Sequence, residues 1–168
     1  MTEELRAELR PRVAALLYRF LDGRRLCIVN AAGADWNIIT TVPSSQEREG
    51  EHPLERVVRM ARTLTDEYEA LLEPGPGEIG HNRARDDGYT VTRDVESEHV
   101  LLVDDTFTSG ARVQSAASAL QLAGATVVVA VPVARVINPS WNEAAETLWS
   151  DARAREFDFD TCCLEPGP

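Results

Sequence analysis

The sequence has few basic residues, few cysteines and no long apolar run. Its 17 basic side chains stand against 28 acidic ones, and the formal net charge of -11 disfavours nonspecific attraction to nucleic acid or to an anionic membrane surface. A small anionic ligand needs only a local positive pocket. The three cysteines, Cys27, Cys162 and Cys163, are too few for a disulfide framework, and the adjacent pair lacks the two-residue gap that zinc sites favour. We expect reduced thiols, with Cys162 and Cys163 in buried packing roles.

The chain also lacks the patterns of a membrane span and of a secretion signal. No stretch approaches the roughly 20 apolar residues of a spanning helix, and the first residues alternate between charged and apolar types instead of placing a basic region before an apolar one. A length of 168 residues suits one domain with its own core. We therefore expect a single cytoplasmic domain, 1–168, with an N-terminal helical segment (1–24), a core (25–134) and a C-terminal extension (135–168).

Hydrophobic periodicity predicts alternating helices and strands. Apolar residues at helical spacing from Glu3 to Leu21 predict a packing helix with a boundary near Pro11. The predicted strands are Arg25–Asn30, Trp36–Val42, Tyr89–Thr92, Val100–Val103 and Thr126–Val133, and the later helices run from Pro53 to Leu64 and from Ala111 to Ala123. The last strand, helix and strand imply a right-handed parallel crossover. The fold class is α/β, with a Rossmann-like parallel sheet flanked by helices.

One run of thirteen residues, from Val100 to Arg112, has a clear chemical pattern. An apolar strand ends in Asp104 and Asp105, and small hydroxyl residues and Gly110 follow before a helix. Ligands bind at the carboxyl ends of strands in open α/β sheets, and a loop that opens a helix presents unpaired backbone N–H groups. A phosphate suits that loop, and the two acids suit sugar hydroxyls further along the ligand. The pattern indicates a ribose 5-phosphate compound; the alternative is an acid-capped helix start, which is common in α/β proteins.

This run resembles the phosphoribosyl-diphosphate signature of the type I phosphoribosyltransferases, which has four apolar residues, two acids and a Thr-Ser-Gly phosphate loop. The resemblance implies a parallel five-stranded core with a small hood, and Mg2+ that bridges the ribose hydroxyls and the diphosphate. It implies that Asp104 and Asp105 hold the ribose, act in catalysis and meet the metal only indirectly, through substrate or water. The residues implied to hold the 5-phosphate are Thr106, Phe107, Thr108, Ser109, Gly110 and Ala111.

A weaker resemblance, to the ComF group of amidophosphoribosyltransferase-like proteins, covers Ile38 to Ala134. That group has an apolar strand ending in Val-Pro, as Val42 and Pro43 do here, followed by a loop that contacts diphosphate. The residues that the resemblance places at the diphosphate are Pro43, Ser44, Ser45 and Arg48. The group's loop is rich in arginine, whereas this one holds one arginine and three glutamates, and the group's N-terminal zinc element is missing. The fold is carried over, and the role in competence is not.

Further candidates are cations, bases and aromatic rings. Diphosphate departure needs positive charge, and Arg83 and Arg85 lie in a Gly/Pro-flanked loop where the family often has a mobile catalytic loop; a solvated charged loop is the alternative. The other candidates are Arg48 and Arg56 as cations, His52, His81 and His99 as a general base, and Trp141, Trp149, Phe157 and Phe159 as a hood over the acceptor. Surface or capping roles for the histidines, and packing for most of the aromatic residues, are the simpler expectations.

These patterns lead to one main hypothesis and two rivals. We expect a Mg2+-dependent phosphoribosyltransferase that transfers the phosphoribosyl group of 5-phosphoribosyl-1-diphosphate to a nitrogen nucleophile, a nucleobase or an amine, and releases diphosphate. The main rival is a regulator that keeps the phosphoribosyl pocket without turnover, as the acid-rich diphosphate loop suggests. A third hypothesis, an adaptor for DNA uptake, conflicts with the acidic surface. The expected partners are phosphoribosyl diphosphate and an acceptor, without nucleic acid or membrane, and a homodimer is left open.

Overall fold

Helices and parallel strands alternate along most of the chain. The computed structural model describes residues 3–44 and 52–154, together with 156, 158, 159, 162 and 164. The elements in chain order are α1 (Glu3–Ala32), β1 (Ile38–Thr41), α2 (Pro53–Arg59), α3 (Arg62–Glu67), β2 (Leu72–Pro74), β3 (Tyr89–Val91), β4 (His99–Phe107), α4 (Ala111–Leu122), β5 (Thr126–Arg135) and α5 (Glu143–Ala154). No helix of the described part is long and apolar enough to cross a bilayer.

Helix α1 continues through the segment where we predicted the strand Arg25–Asn30, so that prediction was wrong. Its buried stripe consists of Ala14, Leu17, Leu21 and Ile28, which recur at helical spacing. The helix ends at Gly33, whose φ of 77° is left-handed and suits glycine, and whose amide donates to the carbonyl of Val29 at 2.8 Å. The six-residue segment contains only four consecutive apolar residues, which fit a helix as well as a strand, and here the buried stripe of α1 continues into it at Ile28.

Pro11 lies inside α1 and not at a boundary. Proline removes the helical hydrogen bond to the carbonyl four residues earlier, which here belongs to Ala7. Both residues are exposed, so water can solvate the carbonyl that proline leaves unpaired. The break that we expected near Pro11 is therefore absent.

The helix predicted from Pro53 to Leu64 is divided into α2 and α3. His52 precedes α2, and its Nδ1 accepts the N–H of Leu54 at 3.3 Å, with Pro53 at the first helical position. Ala61 has an extended backbone, with φ -95° and ψ 108°, and separates the two helices. The predicted apolar stripe is confirmed, since Leu54, Val57, Val58 and Leu64 are all buried.

Strands β1, β4 and β5 form a parallel sheet in the order β1-β4-β5. Thr41 pairs with Val103, which in turn pairs with Val131. Tyr68 adds a parallel bridge to Ile39 at the other edge of β1. The α/β class with a parallel sheet flanked by helices is confirmed, although the described residues form three strands of this sheet where the resemblance implied five.

Both faces of the sheet are covered. Ile39, Leu101 and Val103 pack against α1, α2 and α3. Ile38, Val100 and Leu102 pack against α4 and against the hairpin that β2 and β3 form by antiparallel pairing. Successive side chains of a strand point to opposite faces, so a strand covered on both sides is apolar at every position. This explains why β1 is apolar or β-branched at every position and why β4 is apolar from Val100 to Val103.

Strand β4 extends four residues beyond the predicted end at Val103. Thr106 and Phe107 pair with Ala134 and Arg135 of β5, and the amide of Val136 donates to the carbonyl of Phe107 at 3.0 Å. The loop that we expected from Asp104 to Gly110 is therefore only Thr108 to Gly110. The polar residues at the end of β4 stay in the strand because they pair with the long strand β5, and not because they are apolar.

The described part of the C-terminal extension is less packed than we expected. Helix α5 buries none of its residues, and Trp141 and Trp149 are 73% and 39% exposed. Phe159 lies under the Arg19 guanidinium at 4.0 Å, and Cys162 is buried, as predicted. The predictions for Phe157 and Cys163 fall outside the described residues.

Candidate functional site

The carboxyl end of β4 carries Asp104 and Asp105 on opposite faces of the sheet. Asp104 continues the row of Val100 and Leu102 and is 3% exposed, whereas Asp105 is exposed. The amide of Asp105 donates to Oδ1 of Asp104 at 3.0 Å. The buried Asp104 and the exposed Asp105 can therefore contact ligand groups on different sides of the strand end.

Asp104 is a carboxylate buried at the end of β4. Burial raises the pKa of Asp104 to about 6, and repulsion from Asp105 adds to this effect, whereas the Arg112 guanidinium acts in the opposite direction. At neutral pH the carboxylate is mostly ionised. A ligand hydroxyl that donates to it would stabilise this charged form, so the group is suited to recognising a sugar diol.

Three residues from distant parts of the chain meet beside Asp104. The carbonyl of Pro43 accepts from Nη2 of Arg112 at 3.0 Å and from the hydroxyl of Tyr89 at 3.2 Å. The Arg112 guanidinium also interacts with the Tyr89 hydroxyl, which partly offsets the rise in the pKa of Tyr89 that burial causes. Sequence reasoning missed this cluster, because neither Tyr89 nor Arg112 carries a local signal for it.

The segment from Thr108 to Ala111 has the backbone of an anion site. Gly110 has a φ of 80° and no side chain to cap α4, and a Cβ at this position would lie 2.8 Å from the Phe107 ring. Glycine is thus required there. The first amides of α4 follow directly, and an uncapped helix start favours a phosphate through its N–H groups and its dipole. Ser109 adds a hydroxyl, which accepts the amide of Asn82 at 3.3 Å and, at 3.5 Å, that of Ala111.

The loop with Arg83 and Arg85 rests on α4. The amide of Arg85 donates to Oγ of Ser115 at 2.9 Å, and Asp86 accepts from Ser118 at 2.7 Å. The Arg85 guanidinium pairs with Asp87 at 3.0 Å and is exposed. Arg83 is exposed as well. The loop therefore borders the anion site with its backbone, while the Arg85 side chain is paired elsewhere.

Two cavities open at the carboxyl end of β4, one on each side. The first, of about 700 Å³, is lined by Thr108, Ser109, Asn82, Gln114, His81 and Trp141, with other residues of the same loops. The second, of about 430 Å³, is mostly apolar and lies between α1, α2 and the sheet, with Asp105, Thr106 and His52 at its margin. The phosphate loop thus faces one cavity and Asp105 the other.

Apart from the aromatic residues described above, the remaining predicted residues that the structure describes lie around this end of the sheet, with one exception. Pro43 and Ser44 follow β1 beside the site, whereas Ser45 and Arg48 lie outside the described residues. His52 is a helix cap, as the simpler expectation had it, and Arg56 is an exposed residue of α2. His99 begins β4 at the opposite end of the strand and bonds to the carbonyl of Asp35, so its candidacy as a general base was wrong.

The acids fit a magnesium ion only through a ligand. Mg2+ prefers oxygen ligands and is commonly bound by one or two carboxylates together with substrate phosphates and water. Asp104 and Asp105 lie on opposite sides of β4, and the described residues contain no cluster of three or more histidine, cysteine or acidic side chains. The arrangement is compatible with the indirect contact that the resemblance implies, and not with a cage of protein ligands.

Comparison with known proteins gives a distant structural likeness. No model of a protein family matches the chain, and no curated protein matches it. Among solved structures, the chain is similar to a purine phosphoribosyltransferase from Pyrococcus horikoshii Ot3, with 16% sequence identity and a TM-score of 0.38. The similarity covers 71% of this chain and 84% of that one.

Proposed function

We propose that this chain binds 5-phosphoribosyl-1-diphosphate, as a member of the type I phosphoribosyltransferase group, and transfers its phosphoribosyl group to a nitrogen nucleophile. In this reaction the bond between C1 of the ribose and the diphosphate oxygen breaks, and a bond from nitrogen to C1 forms. Diphosphate leaves with the electron pair, and the nitrogen loses a proton. One observation supports the proposal: the buried Asp104 and the start of α4 at Ala111, where Gly110 provides no side-chain cap, are seven residues apart at the end of a single strand.

The phosphate end of the ligand would lie at Thr108 to Ala111. Backbone amides at a helix start bind phosphate without needing a cation, which matters in a chain of net charge -11. The left-handed Gly110 lets the backbone approach the phosphate closely. Ser109 and Thr108 would add hydroxyl donors.

The sugar would lie along the end of β4. The buried Asp104 would accept a ribose hydroxyl, which relieves its unfavourable ionised burial, and the exposed Asp105 would accept from the other side. When bound, Mg2+ would supply positive charge to the diphosphate oxygens. Asp104 and Asp105 would hold it only indirectly, through substrate or water.

The acceptor would enter the apolar cavity between α1 and α2. A flat or aliphatic nitrogen compound suits its walls, which include Leu9, Val13, Leu54 and Val57. Asp105 at the margin would accept a hydrogen bond from the nitrogen nucleophile. His52 is less suited to act as a base, because its Nδ1 already accepts the amide of Leu54.

A second candidate function is a regulator that binds the same ligand without turning it over. The pairing of Arg85 with Asp87 favours this candidate, because it occupies one of the cations expected to assist diphosphate departure. The acid-rich loop after Pro43 favours it too. Both functions share the ligand and differ only in the chemical step.

Calorimetry tests the ligand binding that both candidate functions share. Phosphoribosyl diphosphate with Mg2+ should bind to the native chain, and replacing both acids, Asp104→Asn with Asp105→Asn, should abolish the binding. Asp66→Asn, on an exposed position of α3, is the control for loss of charge and should leave the affinity unchanged. Binding that survives in the double variant would refute the proposed site.

Diphosphate release separates the enzyme from the regulator. Release should appear with at least one compound of a panel of nucleobases and amines, and it should depend on the added compound. A native chain that binds phosphoribosyl diphosphate but releases nothing with any of them would decide for the regulator.

A further inference from the structure

The carbonyl of Pro43 is held by two side chains that come from different elements. Arg112 lies in the first turn of α4 and Tyr89 begins β3, and each donates to this one oxygen, at 3.0 Å and 3.2 Å. A carbonyl oxygen has two lone pairs, so these two donors saturate it. The point where the chain leaves β1 is therefore fixed to α4 and to the hairpin. We name these three residues the Pro43 clamp.

The Pro43 clamp lowers the stability of the folded protein. Tyr89 is 4% exposed, and within the described residues no acceptor bonds to the buried Nε of Arg112. Placing a guanidinium where one donor is buried without an acceptor costs free energy, and an apolar residue of similar size is often as stable or more so. The chain contains no lysine, so its permanent cations are arginines, and a planar guanidinium can hold a fixed orientation that a lysine would not. An unfavourable arrangement of this kind is more easily explained by function than by folding.

The clamp also connects the two places where the proposed ligand carries negative charge. Arg112 follows the phosphate loop by two residues in the chain, and Pro43 and Ser44 begin the segment expected at the diphosphate. A ligand with both a 5-phosphate and a diphosphate needs these two places at a fixed separation. A ligand with only the 5-phosphate needs only the start of α4.

We infer that Arg112 is a positioning residue: with Tyr89 it holds the Pro43 carbonyl and thereby sets the diphosphate subsite at the correct distance from the phosphate loop. The inference rests on the proposed function, because it assigns a role within that site. Arg112 acts through the backbone of Pro43 and not by touching the ligand. Its loss should therefore weaken the recognition of diphosphate without weakening the recognition of the 5-phosphate.

The test compares two probes on matched variants by calorimetry, ribose 5-phosphate alone and phosphoribosyl diphosphate with Mg2+. The titrations are made at pH 8, above the pKa of Asp104, so that the loss of the Arg112 charge does not neutralise this carboxylate. Arg112→Gln should then lower the affinity for phosphoribosyl diphosphate by about tenfold to a hundredfold, the range for a lost charge-assisted hydrogen bond. The affinity for ribose 5-phosphate should stay within about twofold of the native value. Tyr89→Phe removes a neutral donor to the same carbonyl and should give a loss of about twofold to tenfold with phosphoribosyl diphosphate alone. Arg112→Lys should recover part of the lost affinity.

Controls separate this inference from the proposed function and from damage to the fold. Arg62→Gln, at an exposed position of α3, removes the same charge and should match the native chain with both probes. Equal losses for both probes in Arg112→Gln would mean a general structural role and would overturn the inference, as would no loss for either. If Arg112→Gln does not fold, the same comparison on Tyr89→Phe decides. If the native chain binds neither probe, the proposed function itself fails, and the inference with it.

Discussion

Replacing Asp104 by asparagine should make the protein more stable while it removes ligand binding. Asparagine is close in shape to the neutral acid, and its side-chain oxygen can still accept the amide of Asp105, which donates to Oδ1 at 3.0 Å. What the substitution removes is a negative charge buried beside Asp105. We therefore expect a gain in the free energy of unfolding at neutral pH.

The magnitude follows from the pKa. The pKa of Asp104 rises from 3.8 to about 6 in the folded protein, first because of burial and then because of Asp105. A shift of this size corresponds to about 3 kcal/mol of destabilisation when the group is fully ionised. Asparagine accepts the Asp105 amide less strongly than a carboxylate does, which offsets about 1 kcal/mol. A net gain of about 1 to 2 kcal/mol remains.

The dependence on pH gives the sign of the effect. Because the folded pKa lies above the unfolded one, the folded state binds more protons between pH 3.8 and about 6, and the stability of the native chain falls as pH rises through this window. Above about pH 6 the full destabilisation by the ionised Asp104 is present, and below pH 3.8 there is none. The advantage of Asp104→Asn should therefore be about half as large at pH 5 as at pH 8.

Urea unfolding at pH 5 and pH 8, followed by tryptophan fluorescence, measures this difference. Trp36 is 3% exposed and provides a buried reporter. Asp66→Asn makes the same change in net charge at an exposed position of α3 and is the control. A loss of stability in Asp104→Asn at pH 8, or an advantage of equal size at both pH values, would show that the buried charge is not strained as we describe.

Three further substitutions test the fold around the site, each measured by urea unfolding. Gly110→Ala should lower the free energy of unfolding by about 1 to 3 kcal/mol and weaken ribose 5-phosphate binding, because the left-handed φ of 80° disfavours a side chain and the new Cβ would lie 2.8 Å from the Phe107 ring. Gly23→Ala, where a new Cβ would meet nothing within 4 Å, should stabilise α1. A similar loss of stability in both variants would contradict this reasoning. Pro11→Ala should stabilise the protein by about 1 to 3 kcal/mol, since it restores a bond inside α1, and a loss would mean that α1 is broken there. Leu101→Ala should cost about 2 to 5 kcal/mol, because Leu101 is 0% exposed at the centre of the sheet, and a cost below 1 kcal/mol would place β4 at the surface.

The run from Val100 to Arg112 could be interpreted from sequence because its signals are local. Four buried apolar residues, two acids, a left-handed glycine and a helix follow one another, and each property depends on near neighbours. The position of Gly110 and the start of α4 at Ala111 agree with the prediction. The end of β4 does not, because pairing with β5 is a contact between distant residues, which the polar sequence from Asp104 to Phe107 does not reveal.

The Pro43 clamp could not have been predicted from one sequence. Arg112 and Pro43 are 69 positions apart, and Tyr89 and Pro43 are 46 apart. Their meeting depends on the parallel order β1-β4-β5 and on the path of the hairpin, neither of which a residue pattern specifies. Dependence on distant contacts also explains the strand wrongly predicted at Arg25–Asn30. Six residues are too few to distinguish the helical period from the strand period, and the packing of α1 on the sheet decides for the helix.

The proposed binding of a ribose 5-phosphate at the end of β4 can be tested directly by titrating ribose 5-phosphate into isotope-labelled protein and following the backbone amide resonances. The largest saturable shifts should occur at the amides of Thr108 to Ala111 and at Asp104 and Asp105, and α5, at the exposed C-terminal extension, should not respond. Saturable shifts centred elsewhere, or none at millimolar ligand, would contradict the assignment of this strand end as a ribose-phosphate site.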